Sequence, residues 1–188
     1  MSPRVERRGF GRRATRGSVL FIHVAPDGAK EHRSKGSLMP GTYSQMLLHI
    51  VFSTKHREPW ITRNVAERLY PYMGGIVRGE RGVLYDVGGI EDHLHMYLRW
   101  RPDGDVSSLM RTVKARSSKW LHDEFKGLSA FAWQEGYSVF SVSKSQETVV
   151  RAYIAGQAAH HKKEDFKLEL LRLLKLHEIE FDEKYVFD

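Results

Sequence analysis

Apolar and polar residues alternate most clearly at His93-Leu94-His95-Met96-Tyr97-Leu98. A period of two places Leu94, Met96 and Leu98 on one face of a strand and His93, His95 and Tyr97 on the other. The same pattern predicts a strand through Leu47, Leu48, Ile50, Val51 and Phe52, with His49 among its alternate positions, ending at the polar turn Thr54–Pro59. Val83, Tyr85 and Val87 alternate with Leu84 and Asp86 in a further strand. Gly88-Gly89 is expected to turn that strand into the histidine strand as an antiparallel hairpin.

Between these strands the spacing becomes helical. Thr62 is placed to cap a helix with the stripe Val65, Ala66, Leu69, Tyr70 and Met73. Pro71 leaves the span to about Arg78 as either one kinked helix or two pieces. Asp105 is placed to cap a longer helix through about Phe125, with Val106, Leu109, Met110, Val113, Ser117, Trp120 and Leu121 inward. Its outer face carries Arg111, Lys114, Arg116 and Lys119, which suits a phosphate backbone or plain solvent equally. Residues 130–142 read as a strand or bent β segment, with Gly136 allowing a bulge. A helix from Ser145 then carries Tyr153 and Gln157 one turn apart and ends in His160-His161-Lys162-Lys163. The last helix, through Leu168, Leu170, Leu171, Leu173, Leu174 and Leu176, has more leucines than one stripe needs. It is therefore expected to meet a second surface, on the body or on another subunit.

The order β, α, β, β, α, β followed by C-terminal helices predicts an α+β protein with a ferredoxin-like split βαβ domain. Its antiparallel sheet would be covered by helices on one face, leaving an open face for His93 and His95. Residues 39–163 are expected to form the main domain, and residues 164–188 a helix and acidic tail packed on the body or a partner.

Charge alters this picture only at the start. Residues 1–38 hold nine Lys/Arg against three Asp/Glu, or +6, while the remaining residues hold 21 against 20, or +1. The first segment thus reads as a basic, disordered extension, and the high pI says little about the domain itself. No cysteine is present, which excludes disulfides and thiolate metal sites. No apolar run reaches membrane-spanning length, and a soluble, cytoplasmic protein is the expectation.

The candidate chemistry rests on four residues. His93 and His95 point at one spot, Gln157 can offer a carbonyl oxygen, and Tyr153 stands one helical turn before it. Two imidazoles and an amide oxygen would leave open positions on a divalent ion for phosphate oxygens. A His-x-His pair also occurs as plain structure, and Tyr153 could simply pack while Gln157 faces solvent.

Three separated blocks carry a resemblance. They are the run from Tyr43 through His49-Ile-Val-Phe-Ser-Thr-Lys-His-Arg57, the core Asp92-His93-Leu94-His95, and Tyr153-Ile-Ala-Gly-Gln157 with His160-His161-Lys162-Lys163 behind it. In this order they resemble the IS200-like single-tyrosine transposases, including forms that act at repetitive palindromic elements. The resemblance implies a divalent ion, Mg²⁺ or Mn²⁺, on His93, His95 and Gln157, with Tyr153 as the nucleophile. It implies cutting and rejoining of single-stranded DNA with hairpin ends through a 5′-phosphotyrosine, and a homodimer in which the tyrosine helix can complete the partner's site. Lys55, Arg57, Arg111, Lys114, Lys119, His161, Lys162 and Lys163 are the candidate DNA contacts. The chain departs from the family in its basic leading segment and in Glu91, where a proline often stands. A metal-dependent nuclease using water and a binding module that stacks bases on aromatics such as Trp100, Phe131 and Trp133 are the rival readings.

Overall fold

The computed structural model describes Ile22–His23, residues 43–184 and Val186. The expected basic extension lies outside these residues, apart from Ile22–His23, a short edge strand (β1) that pairs with Val87 and Asp86. The four main strands are β2 (Met46–Ser53), β3 (Val83–Ile90), β4 (His93–Trp100) and β5 (Ser138–Val142). Sheet order is β1-β3-β4-β2-β5 with every neighbouring pair antiparallel. The histidine strand β4 therefore sits between the strands that flank the first helix, as the split βαβ reading requires.

Two helices cover the first face. Helix α1 (Arg63–Gly79) runs unbroken through Pro71, and α2 (Val106–Glu124) is capped by Asp105, whose carboxylate accepts from the backbone N–H groups of Ser107 and Ser108. Thr62 occupies the capping position of α1 without a side-chain cap bond. Leu48, Ile50 and Phe52 of β2 and Leu94, Met96 and Leu98 of β4 meet Leu69, Met73, Leu109 and Val113 in the main core. Trp100, Phe131 and Trp133 are buried in this core too, and the Trp133 indole N–H donates to Ser117 Oγ at 2.9 Å.

The second face is not open. Helix α3 (Glu147–Ala155), the short α4 (Gln157–His160) and α5 (Phe166–Leu176) roof it. Phe166, Leu170, Leu173 and Leu174 bury against Val51 and Phe140, while Ile154 packs on Leu47 and Tyr97. The surplus leucines of the last helix thus largely serve the body, although Leu168 and Leu176 stay exposed. Hydrophobic positions on β2 that face away from the main core required such a cover.

Two local features differ from the periodic reading. A register shift between Leu84 and Asp86 makes Tyr85 the extra residue of a bulge, so Leu84 and Val87 enter the main core and the simple alternation fails. The hairpin turn is Glu91-Asp92, since β3 continues through Gly88-Gly89 to Ile90. Gly89 is needed there because a Cβ would lie 2.1 Å from the His93 carbonyl oxygen.

Candidate metal and nucleophile site

Strand β4 sends His93 and His95 under the C-terminal roof, where both are fully buried. Each ring is held at Nδ1. His93 Nδ1 lies 2.7 Å from Asp92 Oδ1, and Asp92 is itself paired with Arg57 at 2.9 Å. The turn that delivers Arg57 has left-handed backbone at His56 (φ 56°) and Arg57 (φ 58°). His95 Nδ1 lies 2.9 Å from Nε2 of His49, which sits diagonally across the β2–β4 pairing, two residues from Val51, the residue paired with His95. Both Nε2 atoms are left facing the roof.

The roof supplies what the strand lacks. Gln157 Oε1 lies 3.4 Å from His93 Nε2 and 2.9 Å from His161 Nε2. Glu169, on the inner face of α5 and fully buried, places Oε2 at 3.5 Å from His93 Nε2, 3.5 Å from His95 Nε2 and 3.1 Å from His161 Nε2. Its other oxygen accepts from the Gln157 amide at 2.9 Å and from the Tyr153 hydroxyl. The helix breaks at Gly156 between Tyr153 and Gln157, yet both side chains reach the same carboxylate. Arg172 donates to the Tyr153 oxygen at 3.2 Å from outside.

The tyrosine helix is fixed to the sheet in two ways. Ile154 packs into the Leu47–Tyr97 cluster, and the Arg151 guanidinium reaches the buried Asp86 carboxylate at 2.6 Å. The bulge at Tyr85 is what turns Asp86 toward this face, opposite Tyr97.

Electrostatics in the pocket follow from burial opposed by partners. Burial disfavours charge on Glu169, but the facing imidazoles of His161, His93 and His95 outweigh it and hold the carboxyl well below its ordinary range. Burial lowers His95 to about 4 despite that carboxylate. His49 is pushed well down by burial and by His95. His93 goes the other way, because Asp92 and Glu169 overcome its burial. The Tyr153 phenol is pushed up, first by burial and then by Glu169.

A divalent ion fits this donor set. His95 Nε2 and Glu169 Oε2 are buried without a hydrogen-bond partner, an arrangement that is costly unless something else binds them. One ligand atom from each of His93, His95, His161 and Glu169 lies within 4.8 Å of the others. His161 was expected as a DNA contact, but its ring joins this cluster. Glu169 is absent from the sequence expectations; its only signal was an acidic residue flanked by leucines on a helix whose face was unassigned.

The remaining candidate contacts scatter. Lys55, Arg111, Lys162 and Lys163 are exposed. Lys119 pairs with Asp123 at 2.8 Å. Lys114 donates to the Gln134 and Gly136 carbonyls, and burial lowers its amine to about 8. It serves the β5 approach more than an outer cationic surface.

The sequence profile described as "Transposase IS200 like" matches residues 42–157. No curated protein sequence matches. Among solved structures, a candidate transposase from Deinococcus radiodurans R1 is similar with a TM-score of 0.51 at 20% identity, covering 62% of this chain and 94% of that one. A REP-associated tyrosine transposase bound to a REP hairpin is similar with a TM-score of 0.50 at 16% identity, covering 66% of this chain and 74% of that one. At such identities the structural likeness is one of fold, here an α+β one. Among the described residues no helix is long and apolar enough to cross a membrane. Because the profile spans well over half of the 188 residues, the chain belongs to the IS200-like transposase family.

Proposed function

We propose that this protein cuts and rejoins single-stranded DNA at hairpin-containing element ends, with Tyr153 as nucleophile and a divalent ion, Mg²⁺ or Mn²⁺, held by His93, His95 and Gln157. The observation that carries the reading is the convergence of Tyr153 and both strand histidines on one buried carboxylate, Glu169. A tyrosine used only for packing has no need to share an acidic partner with two inward imidazoles. The hairpin substrate is supported by the family resemblance and by the hairpin-bound relative of the same fold.

When bound, the ion would supply positive charge to the phosphoryl group under attack. The protein's own part is to place and orient the phenol. Tyr153 Oη forms a bond to phosphorus while the bond from phosphorus to the 3′ oxygen breaks, leaving a 5′-phosphotyrosine and a 3′-hydroxyl. One proton leaves the phenol and one joins the departing oxygen. Glu169 Oε1 accepts the phenolic hydrogen bond and so fixes the direction of the hydroxyl, but with its carboxyl held well below the ordinary range it orients the phenol and does not retain the proton. In the resting arrangement burial and, after it, the same carboxylate keep the phenol protonated. Arg172, which donates to the same oxygen, favours the phenolate. Rejoining reverses these steps with a 3′-hydroxyl as attacker.

The base-stacking module is disfavoured by the burial of Trp100, Phe131 and Trp133 in the main core. The reading is tested by incubating the protein with labelled single-stranded hairpin DNA and Mn²⁺ and running a denaturing gel. A labelled band migrating with the protein in wild type, absent in Tyr153→Phe, is expected. Cleavage without any adduct would instead indicate a nuclease that uses water.

A further inference from the structure

We propose that Glu169 and His161 are ligands of the same ion as His93 and His95, so that the metal staples helix α5 to the sheet and imidazole-binding ions are preferred over Mg²⁺. The inference rests on the metal dependence of the function proposed above but concerns two residues that lie beyond the matched span of 42–157.

Three independent features support it. The first is spacing. Metal–nitrogen and metal–oxygen bonds of about 2.0–2.2 Å place neighbouring ligands of one ion roughly 2.8–3.6 Å apart, from octahedral to tetrahedral angles. Glu169 Oε2 stands 3.5, 3.5 and 3.1 Å from the Nε2 atoms of His93, His95 and His161. These separations are long for strong charge-assisted hydrogen bonds, and Oε2 and His95 Nε2 do not meet hydrogen-bond geometry with any partner.

The second is the outer shell. All three rings are engaged through Nδ1: His93 by Asp92 at 2.7 Å, His95 by His49 at 2.9 Å and His161 by the Glu164 carbonyl at 2.9 Å. Fixing Nδ1 as the protonated nitrogen leaves the Nε2 lone pair directed at the common point, which is how metal-binding imidazoles are oriented. A purely structural His cluster has no reason to tie all three rings at the same atom.

The third is charge. Three neutral imidazoles, the neutral Gln157 carbonyl and one carboxylate make a donor set of net −1, buried beneath α5. A divalent cation turns an unsatisfied carboxylate oxygen into a bonded one, and the nitrogen-rich set favours Zn²⁺ or Mn²⁺ over hard Mg²⁺. Because Glu169 sits between Leu168 and Leu170 on α5, the ion would also tie that helix to β4.

The test uses full-length protein stripped with chelator, then titrated separately with Zn²⁺, Mn²⁺ and Mg²⁺ in a calorimeter. Zn²⁺ and Mn²⁺ should each bind at one site and more tightly than Mg²⁺. Loss of an outer-shell partner typically costs 10–100-fold in affinity, so removing a direct ligand in Glu169→Gln should cost more than about 100-fold for Zn²⁺. Unchanged or tighter binding by Glu169→Gln would overturn the assignment and make the carboxylate an occupant of the site in place of the metal. X-ray absorption at the zinc edge should count three imidazoles in wild type and two in His161→Ala. Two in wild type would remove His161. Should either variant fail to fold, amide exchange in α5 of the wild type decides: Zn²⁺ should slow it, and no change would overturn the staple. None of these measurements uses DNA. Wild type that binds metal in this way but forms no tyrosine adduct would sink the proposed cutting chemistry and leave the ligand set standing, whereas a wild-type adduct together with unaltered metal affinity in Glu169→Gln would do the reverse.

Discussion

His49 Nε2 lies 2.9 Å from His95 Nδ1, across the pairing of two central strands and beneath the C-terminal roof. For His95 to present its Nε2 lone pair, its proton must sit on Nδ1 and be donated to His49, which must then be neutral with its own proton on the far nitrogen. Burial keeps both rings neutral. His49→Phe fills the same space, against Phe140 and Tyr153, but offers no acceptor. We expect it to fold and to lower Mn²⁺ affinity by about 10–100-fold. Equal affinity in a calorimetric titration would show that His49 only packs.

Much of this was legible in the chain. Alternation along β4 gave the two-faced histidine strand, and the order of elements gave the split βαβ sheet. What periodicity could not convey is that the histidine face is also covered. The cover comes from leucines about 80 residues downstream whose target no local pattern names. The bulge at Tyr85 is likewise silent in sequence, because it is the cross-strand pairing that decides which residue becomes extra. Tyr153 and Gln157 do meet, as the helical spacing suggested, but through a break at Gly156 and through Glu169. A lone glutamate among leucines carries no signal until the helix is docked.

The anchor of the tyrosine helix can be tested apart from the chemistry. Asp86 is fully buried and paired to Arg151, which is about one-third exposed. Arg151→Met leaves that carboxylate without its guanidinium, a loss of about 2–3 kcal/mol, less than the roughly 3–5 kcal/mol for a wholly buried pair because of the exposed arginine. Chemical denaturation should show this loss. Adduct formation should fall as well, since α3 carries Tyr153. A variant as stable as wild type would mean that the pair contributes nothing net to docking.

Acid should loosen the metal-free protein before the ordinary carboxylate range. A histidine whose folded pKa is below its unfolded value binds fewer protons when folded, so stability falls as pH drops through the interval between them. For His95 that interval runs from 6.5 down to about 4, and His49 adds to it with the same sign. His93, shifted upward, opposes them, because its stabilisation is full below 6.5 and is lost as pH rises through its folded pKa. Glu169 adds a further loss below its usual 4.5. The melting temperature without metal should therefore decline between pH 6.5 and 4. His95→Gln should flatten that decline, and a variant with the same slope as wild type would assign the acid sensitivity elsewhere.

The last prediction concerns which chain supplies the tyrosine. The family resemblance implies a homodimer whose tyrosine helix can complete the partner's site, and such exchange would let two different inactive mutants rescue one another. Here the groups meet within a single chain. The Tyr153 hydroxyl donates to Glu169, the same carboxylate lies 3.5 Å from His93 and His95, and the Tyr153 ring is 5.8 Å from the His95 ring. Only Gly156 separates α3 from α4, and Arg151 binds α3 to β3 of its own sheet. Swapping Tyr153 would mean breaking the half-buried Arg151–Asp86 ion pair and withdrawing Ile154 from its cluster. We therefore expect each chain to use its own tyrosine, whether or not it dimerises through exposed Leu168 and Leu176. Tyr153→Phe and His95→Ala, each inactive alone, should remain inactive when co-expressed or mixed and incubated with labelled hairpin DNA and Mn²⁺. Tyr153→Phe keeps the ring and should lose the adduct while retaining metal. His95→Ala keeps the nucleophile and should lose metal affinity and adduct together. A labelled adduct recovered from the mixture, at up to about a quarter of the wild-type yield if subunits pair at random and one restored site suffices per mixed dimer, would show that the tyrosine helix crosses between subunits.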